Sequence, residues 1–167
     1  TSAVHEQLQA DVEVGTFLSG GVDSSIITAL AASFRKDNLH TFSVGFPDSE
    51  LNESSFAFEV SNSLNTRHHA FQMSDSDALE AFALLDRSFS EPLGDPSQLP
   101  TSFLAKSARE YVTVALSGDG ADELFFGYQR YARFIQLSKN WFYRNPHLTR
   151  SIQQFSGLLT EIWPSRI

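Results

Sequence analysis

Residues 17–30 read FLSGGVDSSIITAL, and the choice of fold turns on them. Phe17 and Leu18 close an apolar run that begins at Val12, the pattern of a buried strand. Ile26, Ile27, Leu30, Ala31 and Phe34 then recur at helical spacing. The joint holds Ser19, Gly20, Gly21, Asp23, Ser24 and Ser25. Glycine permits backbone angles closed to other residues and lets a ligand approach the chain. The start of a helix leaves N–H groups unpaired, with a partial positive charge. Serine hydroxyls add donors. Together these make an anion cradle of the kind phosphates occupy. A tight turn with a serine cap explains one glycine, but not the whole Ser-Gly-Gly-Val-Asp-Ser-Ser run. The loop has no lysine, so the charge of a phosphate there calls for a cation, and Asp23 offers an oxygen ligand for Mg2+.

Working outward, strand and helix patterns alternate. Thr41–Phe46 reads as a second strand, bounded by Pro47, Asp48 and Ser49. Phe56, Val60, Ser63 and Leu64 share a helical face, with Asn52 or Ser54 as N-cap. Arg67–Phe71 is a weak third strand. Ser74 caps a helix carrying Leu79, Phe82, Ala83, Leu85 and Phe89, with Asp77 in its first turn. Ser90–Pro100, SEPLGDPSQLP, has three prolines and is expected to be irregular. A helix with Phe103, Leu104, Ser107, Ala108 and Tyr111 follows, then a β-branched strand over Val112–Leu116. That strand stops at Ser117-Gly118-Asp119-Gly120. From Ala121 the pattern is helical again, through Leu124, Tyr128, Tyr131 and Ile135, until Asn145-Pro146.

Alternation of this kind predicts an α/β fold: an open, mostly parallel, Rossmann-like sheet with helices on both faces. Ligands of such sheets bind beyond the carboxyl ends of the strands, where strand order reverses. Two turns are expected at that edge, SGGVDSS and SGDGADE. In the second, Asp119, Asp122 and Glu123 crowd beside two glycines. An acidic helix start accounts for this turn alone. Beside the first loop, a site for a metal or a cationic ligand is the stronger reading.

Composition sets bounds. The chain has 167 residues, 41% hydrophobic and 19% charged, and no cysteine, which excludes disulfides, thiolate metal sites and a cysteine nucleophile within it. No apolar run approaches the roughly 18 residues that span a bilayer, and no leader pattern follows Thr1. The expected location is the cytoplasm, and the chain reads as a processed product or a piece of something longer. The net charge is -8, yet half of the 12 Lys/Arg lie after residue 128 and only one of the 20 Asp/Glu does. This distribution argues against a uniformly basic nucleic-acid binder. The basic tail reads as a helical surface near an acidic body, with a patch for an anionic partner as the sharper alternative. His68-His69 sits on the weak strand, where neighbours point to opposite faces, so surface and core roles are favoured over a metal pair. Phe125, Phe126, Phe134, Tyr128 and Tyr131 read as core, and Trp141 and Trp163 as packing against further structure.

SGGVDSS resembles the phosphate-binding loop of the N-type ATP pyrophosphatases, a group that includes GMP, NAD and argininosuccinate synthetases. LSGDGADELFFGY (Leu116–Tyr128), SVGFPDSELNES and EPLGDPSQLPTSFLAKSAREYVTVAL narrow this. As a set they resemble the synthetase domain of glutamine-dependent asparagine synthetases, over about Val4 to Phe134. The resemblance implies an adenine nucleotide alpha hydrolase-like fold, with ATP and Mg2+ as ligands. Leu18 and Val44 would flank adenine and ribose. Ser19, Gly20, Gly21, Asp23, Ser24 and Ser25 would hold the pyrophosphate end of ATP. Ser117 and Gly118 would contact the nucleotide or acyl-adenylate. Asp23 and Asp122 would bind Mg2+. Aspartate would attack the α-phosphate to give β-aspartyl-AMP and pyrophosphate, and ammonia would displace AMP to give asparagine. Asp119 stands where many members have a catalytic glutamate, and Phe126 where glycine is common.

The family's N-terminal glutaminase domain, the source of ammonia, is not in this chain, and a family lysine is expected beyond Ile167. Residues 1–135 are thus read as the ATP-pyrophosphatase core and 136–167 as an incomplete helical extension. The expected partners are small molecules and the glutaminase domain, with a second copy of the chain as a candidate. Neither nucleic acid nor membrane is expected. An isolated chain of this extent is expected to bind ATP·Mg2+ weakly and to turn over little. Two other readings compete: an amidotransferase acting on a different carboxylate, its pocket near Glu91–Pro100, and a nucleotide-binding module without catalysis.

Overall fold

The structure, a computed structural model, describes residues 1–35, 38–47, 52–88 and 94–139. The chain divides into two compact units, Thr1–Asp119 and Gly120–Ile167. In the first, β1 (Val14–Phe17), β2 (His40–Gly45), β3 (Arg67–Gln72) and β4 (Val114–Leu116) form one sheet in the order β3-β2-β1-β4. Every pairing is parallel, as expected for strands joined by helical crossovers. The chain runs β1 to β2 to β3 in one direction, then returns to place β4 on the other side of β1. The strand order therefore reverses between β1 and β4.

Alternation along the strands gives the two faces different chemistry. Val14, Thr16, Thr41, Ser43, His68 and Leu116 share one face, which α1 (Ser2–Gln7), α2 (Val22–Arg35) and α3 (Ser54–Ser63) cover. Its apolar part joins Val4, Leu8, Val14, Ala31 and Leu39. Phe17, Phe42, Val44 and Phe71 share the other face, packed on Leu104, Ala108 and Val112 from α5 (Gln98–Ala108) and the turn after it. α4 (Asp75–Ser88) lies against α5, and Lys106 bridges to Glu80 at 2.7 Å. Helices thus lie on both faces.

The helix stripes differ from the expectation. In α2, Ala31 is buried and Ile27 and Leu30 pack on the core as expected, but Thr28 is buried as well and Ile26 and Phe34 are exposed. In α3, Ala57 and Ser61 are buried and Phe56 is exposed. Both helices cover the polar face of the sheet, where small and hydroxylated residues fit closely and bulky ones turn outward. Thr28 Oγ1 lies 3.0 Å from Thr16 Oγ1, a buried bond that favours threonine over a larger apolar residue. On α4, Leu79 and Phe82 are exposed as well.

Several boundaries also shift. α1 carries no strong periodicity and was not expected. Glu53, not Asn52 or Ser54, holds the N-cap position of α3, while Asn52 Oδ1 accepts from the Ser54 N–H at 3.2 Å. α5 starts at Gln98, inside the stretch expected to be irregular. Pro100 lies in its first turn, where its missing N–H costs no helical bond. Glu91, Phe89, Trp141 and Trp163 lie outside the described residues. The cap of α4 matches the expectation: Ser74 N–H donates to Asp77 Oδ2 at 2.9 Å, and Asp77 N–H to Ser74 Oγ at 3.3 Å. The Ser74 hydroxyl also donates to Asp77 Oδ2 at 2.5 Å, and this bond first, with the Ser74 N–H second, holds the Asp77 carboxyl below its ordinary range. Among the described residues, no helix is long and apolar enough to cross a membrane.

The second unit contains α6 (Ala121–Phe125) and α7 (Gln129–Lys139) rather than one continuous helix. The break is Phe126, in the left-handed region at φ 60°. Leu124, Phe125, Phe126 and Phe134 are exposed, so the expected aromatic core is not formed among these residues. Tyr128 O–H donates to Glu123 Oε1 at 2.6 Å, which lowers the Glu123 carboxyl and pushes the Tyr128 phenol up to about 12. Arg130 lies over the Tyr128 ring, 4.1 Å from its centroid.

Candidate functional site

The loop after β1 and the loop after β4 meet where the strand order reverses. Leu18 is buried, and its N–H donates to Phe42 O at 2.8 Å, extending β1 toward the loop. Gly20 then adopts φ +88°. A Cβ at Gly20 would stand 2.5 Å from Phe56 Cβ and 2.7 Å from the Ala57 nitrogen. Glycine is therefore required there by angle and by space. Ser19 Oγ accepts from the Gly21 N–H at 3.2 Å and lies 3.0 Å from Ser24 Oγ. Ser24 Oγ also accepts from the Ser19 N–H and donates to Gly21 O, both at 3.2 Å. These short bonds fold the loop back over the start of α2 and hold Asp23 in its first turn.

Ser25 is the exception. Its Oγ is buried and has no hydrogen-bond partner, although a buried hydroxyl is normally paired. An unpaired hydroxyl at the start of a 14-residue helix, beside backbone N–H groups, is a donor set suited to an anion.

From the other side, Gly118 presses on this helix start: a Cβ there would stand 2.9 Å from Ser24 N and 3.3 Å from Asp23 Cβ. Ser117 Oγ donates to Asp119 Oδ2 at 3.1 Å, which orients that carboxylate. The fold thus brings Ser19–Ser25 and Ser117–Asp119 into one region. Asp122 belongs to the second unit, on α6, where its side chain fills the space a Cβ at Gly127 would need. Among the described residues no three His, Asp or Glu side chains converge as a metal cage. Mg2+ does not need one, since it takes one or two carboxylates together with phosphate oxygens and water. Hard oxygen ligands beside an anion cradle fit that ion.

A cleft of about 370 Å3 opens from the loop along the carboxyl edge of β2. Ser19, Val44, Phe46, Glu53, Thr101 and Leu104 are among the residues that line it. Ser43, Ser54, Ser97 and Pro100 line it as well. Among the described residues, Glu53 is the one charged residue of the lining. The cleft runs between the first turns of α3 and α5, so Ser19 belongs to both the cradle and the cleft. Val44 lines it as the sequence suggested. Glu53, Thr101 and Leu104 were not singled out as site residues in advance, although all three fall within SVGFPDSELNES and EPLGDPSQLPTSFLAKSAREYVTVAL, because those stretches assign no role to them singly. For Glu53 and Thr101 the signal is positional, since each stands at or near a helix start at the carboxyl edge of the sheet.

The Asparagine synthase family model matches residues 1–166. The chain is 41% identical to asparagine synthetase [glutamine-hydrolyzing] 1 of Bacillus subtilis over 81% of its length and 21% of that protein's. It is 37% identical to asparagine synthetase [glutamine-hydrolyzing] 2 of the same organism, over 75% of its length and 18% of that protein's. It therefore spans about a fifth of these curated relatives. Among solved structures it is similar to the NH3-dependent NAD synthetase of Campylobacter jejuni in complex with the nitrate ion. The TM-score is 0.52 at 18% identity, covering 76% of this chain and 56% of that one, a likeness of fold. The fold is adenine nucleotide alpha hydrolase-like.

Proposed function

Since the chain belongs to the asparagine synthase family, we propose that it is the ATP-dependent, amide-forming part of a larger glutamine-hydrolysing asparagine synthetase. The observation that carries this reading is the buried, unpartnered hydroxyl of Ser25 in a glycine-rich loop packed against Gly118. The cradle of Ser19, Gly20, Gly21, Ser24 and Ser25 takes the pyrophosphate end of ATP through N–H and O–H donors. The nucleoside lies in the adjoining cleft beside Val44, with Leu18, Ser117 and Gly118 proposed as further nucleotide contacts. The α-phosphate then falls between the two loops, open to attack.

In this reading a side-chain carboxylate oxygen of aspartate bonds to the α-phosphorus, and the bond from that phosphorus to the bridging oxygen breaks. Pyrophosphate leaves, giving β-aspartyl-AMP. Ammonia then adds to the acyl carbon, AMP departs with the electron pair, and a proton is lost to give the amide. The chain's own contribution is orientation and fixed dipoles aimed at the leaving group, which act without reorganising during the reaction. Asp23 and Asp122 are the residues proposed to hold Mg2+, which when bound neutralises pyrophosphate charge. Asp119, whose carboxylate accepts from the Ser117 hydroxyl, is the residue proposed to accept the ammonia proton. The glutaminase domain of the full protein supplies the ammonia. The proposed extents are 1–135 for the nucleotide core and 136–167 for part of a helical extension, in a cytoplasmic protein that can pair with a second copy.

The test is release of pyrophosphate by the full-length protein, given ATP, Mg2+, ammonia and a panel of carboxylates. Aspartate-dependent release that is lost on Asp23→Asn is the expected result. Release with another carboxylate alone would transfer the assignment to a related amidotransferase, and no release with any carboxylate would sink the enzymatic reading.

A further inference from the structure

A chain of hydrogen bonds runs under α3 and ends in the cleft. Thr66 Oγ1 lies 3.4 Å from Ser61 O and 3.0 Å from Thr41 Oγ1. Thr41 Oγ1 lies 2.9 Å from His68 Nδ1, and His68 Nε2 lies 3.1 Å from Ser43 Oγ. Thr41 is fully buried, Ser43 is buried but for the cleft it lines, and His68 is half-buried.

One end of this chain sets its direction. Ser61 O is a carbonyl and can only accept, so Thr66 gives it its hydroxyl hydrogen. Thr66 must then accept from Thr41, and Thr41 from His68 Nδ1–H. A neutral imidazole protonated at Nδ1 carries a bare Nε2, which accepts from the Ser43 hydroxyl. Burial, with the neighbouring His69, lowers the His68 pKa and so favours this neutral form. The Ser43 hydrogen is thus committed to His68, and its oxygen turns only lone pairs to the cleft. Glu53, which also lines the cleft, is another acceptor without hydrogens to give.

We propose that His68 is a positioning residue for nucleoside recognition: it holds the Ser43 hydroxyl as an acceptor, so that the cleft selects a nucleoside with an O–H or N–H donor at that point. The inference rests on the nucleotide reading of the cleft and adds to it the residue that sets its hydrogen-bond polarity. His68 touches no ligand and acts through Ser43. A phosphate, which brings acceptors only, is disfavoured beside Ser43 and Glu53, which orients the nucleotide with its phosphates toward Ser19–Ser25.

The experiment measures equilibrium binding by the full-length protein of ATP, 2′-deoxy-ATP, 3′-deoxy-ATP and purine riboside triphosphate, which lacks the amino group. His68→Asn keeps a polar group near Thr41 but does not reach Ser43, whereas His68→Gln does. Ser43→Ala and His68→Asn are each expected to weaken ATP binding about 2- to 10-fold, the range for one neutral hydrogen bond. The double variant should be no weaker than either single one, and His68→Gln should restore most of the loss. One analogue should bind the wild type as weakly as ATP binds Ser43→Ala, with no further loss on that variant. Additive losses, or a folded His68→Asn protein with unchanged ATP affinity, would overturn the inference and leave the nucleotide reading standing. If His68→Asn does not fold, Ser43→Ala, His68→Gln and the analogues decide alone. No ATP binding by the wild type would overturn the nucleotide reading, and this inference with it.

Discussion

Gly118 at the end of β4 and Ser24 in the first turn of α2 are in backbone contact: a methyl group on Gly118 would stand 2.9 Å from the Ser24 nitrogen. That nitrogen is among the groups expected to face an anion. Gly118→Ala must therefore move one loop away from the other. We expect pyrophosphate release by the full-length protein to fall by at least about tenfold, roughly 1.4 kcal/mol or more in transition-state stabilisation. Ala substitution at the exposed Gly94, where a Cβ meets nothing within 4 Å, is the control and should leave activity unchanged.

The buried Thr16–Thr28 pair allows a double-mutant cycle. Thr28→Val keeps the shape but strands the Thr16 hydroxyl in a dry site, and should destabilise the chain by about 1–3 kcal/mol. Thr16→Val with Thr28→Val removes both partners and should recover most of that loss. Denaturant unfolding monitored by circular dichroism measures both, and a double variant worse than the single would show that the bond is not the term that matters.

Phe126 occupies a conformation that suits glycine. Its left-handed backbone costs a β-carbon-bearing residue about 1–2 kcal/mol, partly offset by the greater freedom glycine has when unfolded. Phe126→Gly is expected to stabilise the α6–α7 turn by about 1 kcal/mol. It also removes a ring that is 69% exposed, so light scattering on heating should fall as well. Slower amide exchange over residues 120–130 is the direct readout.

Stability should fall on mild acidification. Burial first, and a neighbouring imidazole second, lower the folded pKa of both His68 and His69 from 6.5. The unfolded chain then binds more protons than the folded one, so stability is complete above about pH 6.5 and is lost progressively as pH falls below it. A melting-temperature profile from pH 8 to 5 should show this drop, smaller in His68→Asn. A flat wild-type profile would remove these imidazoles from the account.

Much of this architecture was legible in advance because its signals are local. Val12–Leu18, Thr41–Phe46 and Arg67–Phe71 each carry strand patterns, and the capping pair Ser74 and Asp77 is written within four residues. The placement of His68 and His69 on opposite faces follows from strand geometry alone, and His69 indeed stacks on Tyr111 and Phe42 while His68 bonds Thr41 and Ser43. What escaped depends on tertiary contact. Ile26, Phe34 and Phe56 have the spacing of a core stripe, but the face beneath α2 and α3 is hydroxylated, so Thr28, Ala57 and Ser61 go inward. Pro100 reads as a breaker unless the helix start is known to lie two residues before it. Of the candidate site, the two glycine loops stood out by composition. Glu53, Thr101 and Ser43 lie in family-like stretches that give single residues no role, and they and the Thr41–His68–Ser43 chain became visible only when the strands were in register.

The strand order has a consequence for how the protein comes into being. β1, β2 and β3 are separated by short crossovers, but Val14 pairs with Val114, across about a hundred residues. Long-range pairings close late, because the chain must give up the most freedom to make them. On the ribosome, β1 waits with its outer edge unpaired until β4 has emerged, and Gly118 reaches Ser24 only then. In the proposed function, the nucleotide would act as a fastener for the last step of folding, since the nascent chain holds no complete cradle to bind it sooner.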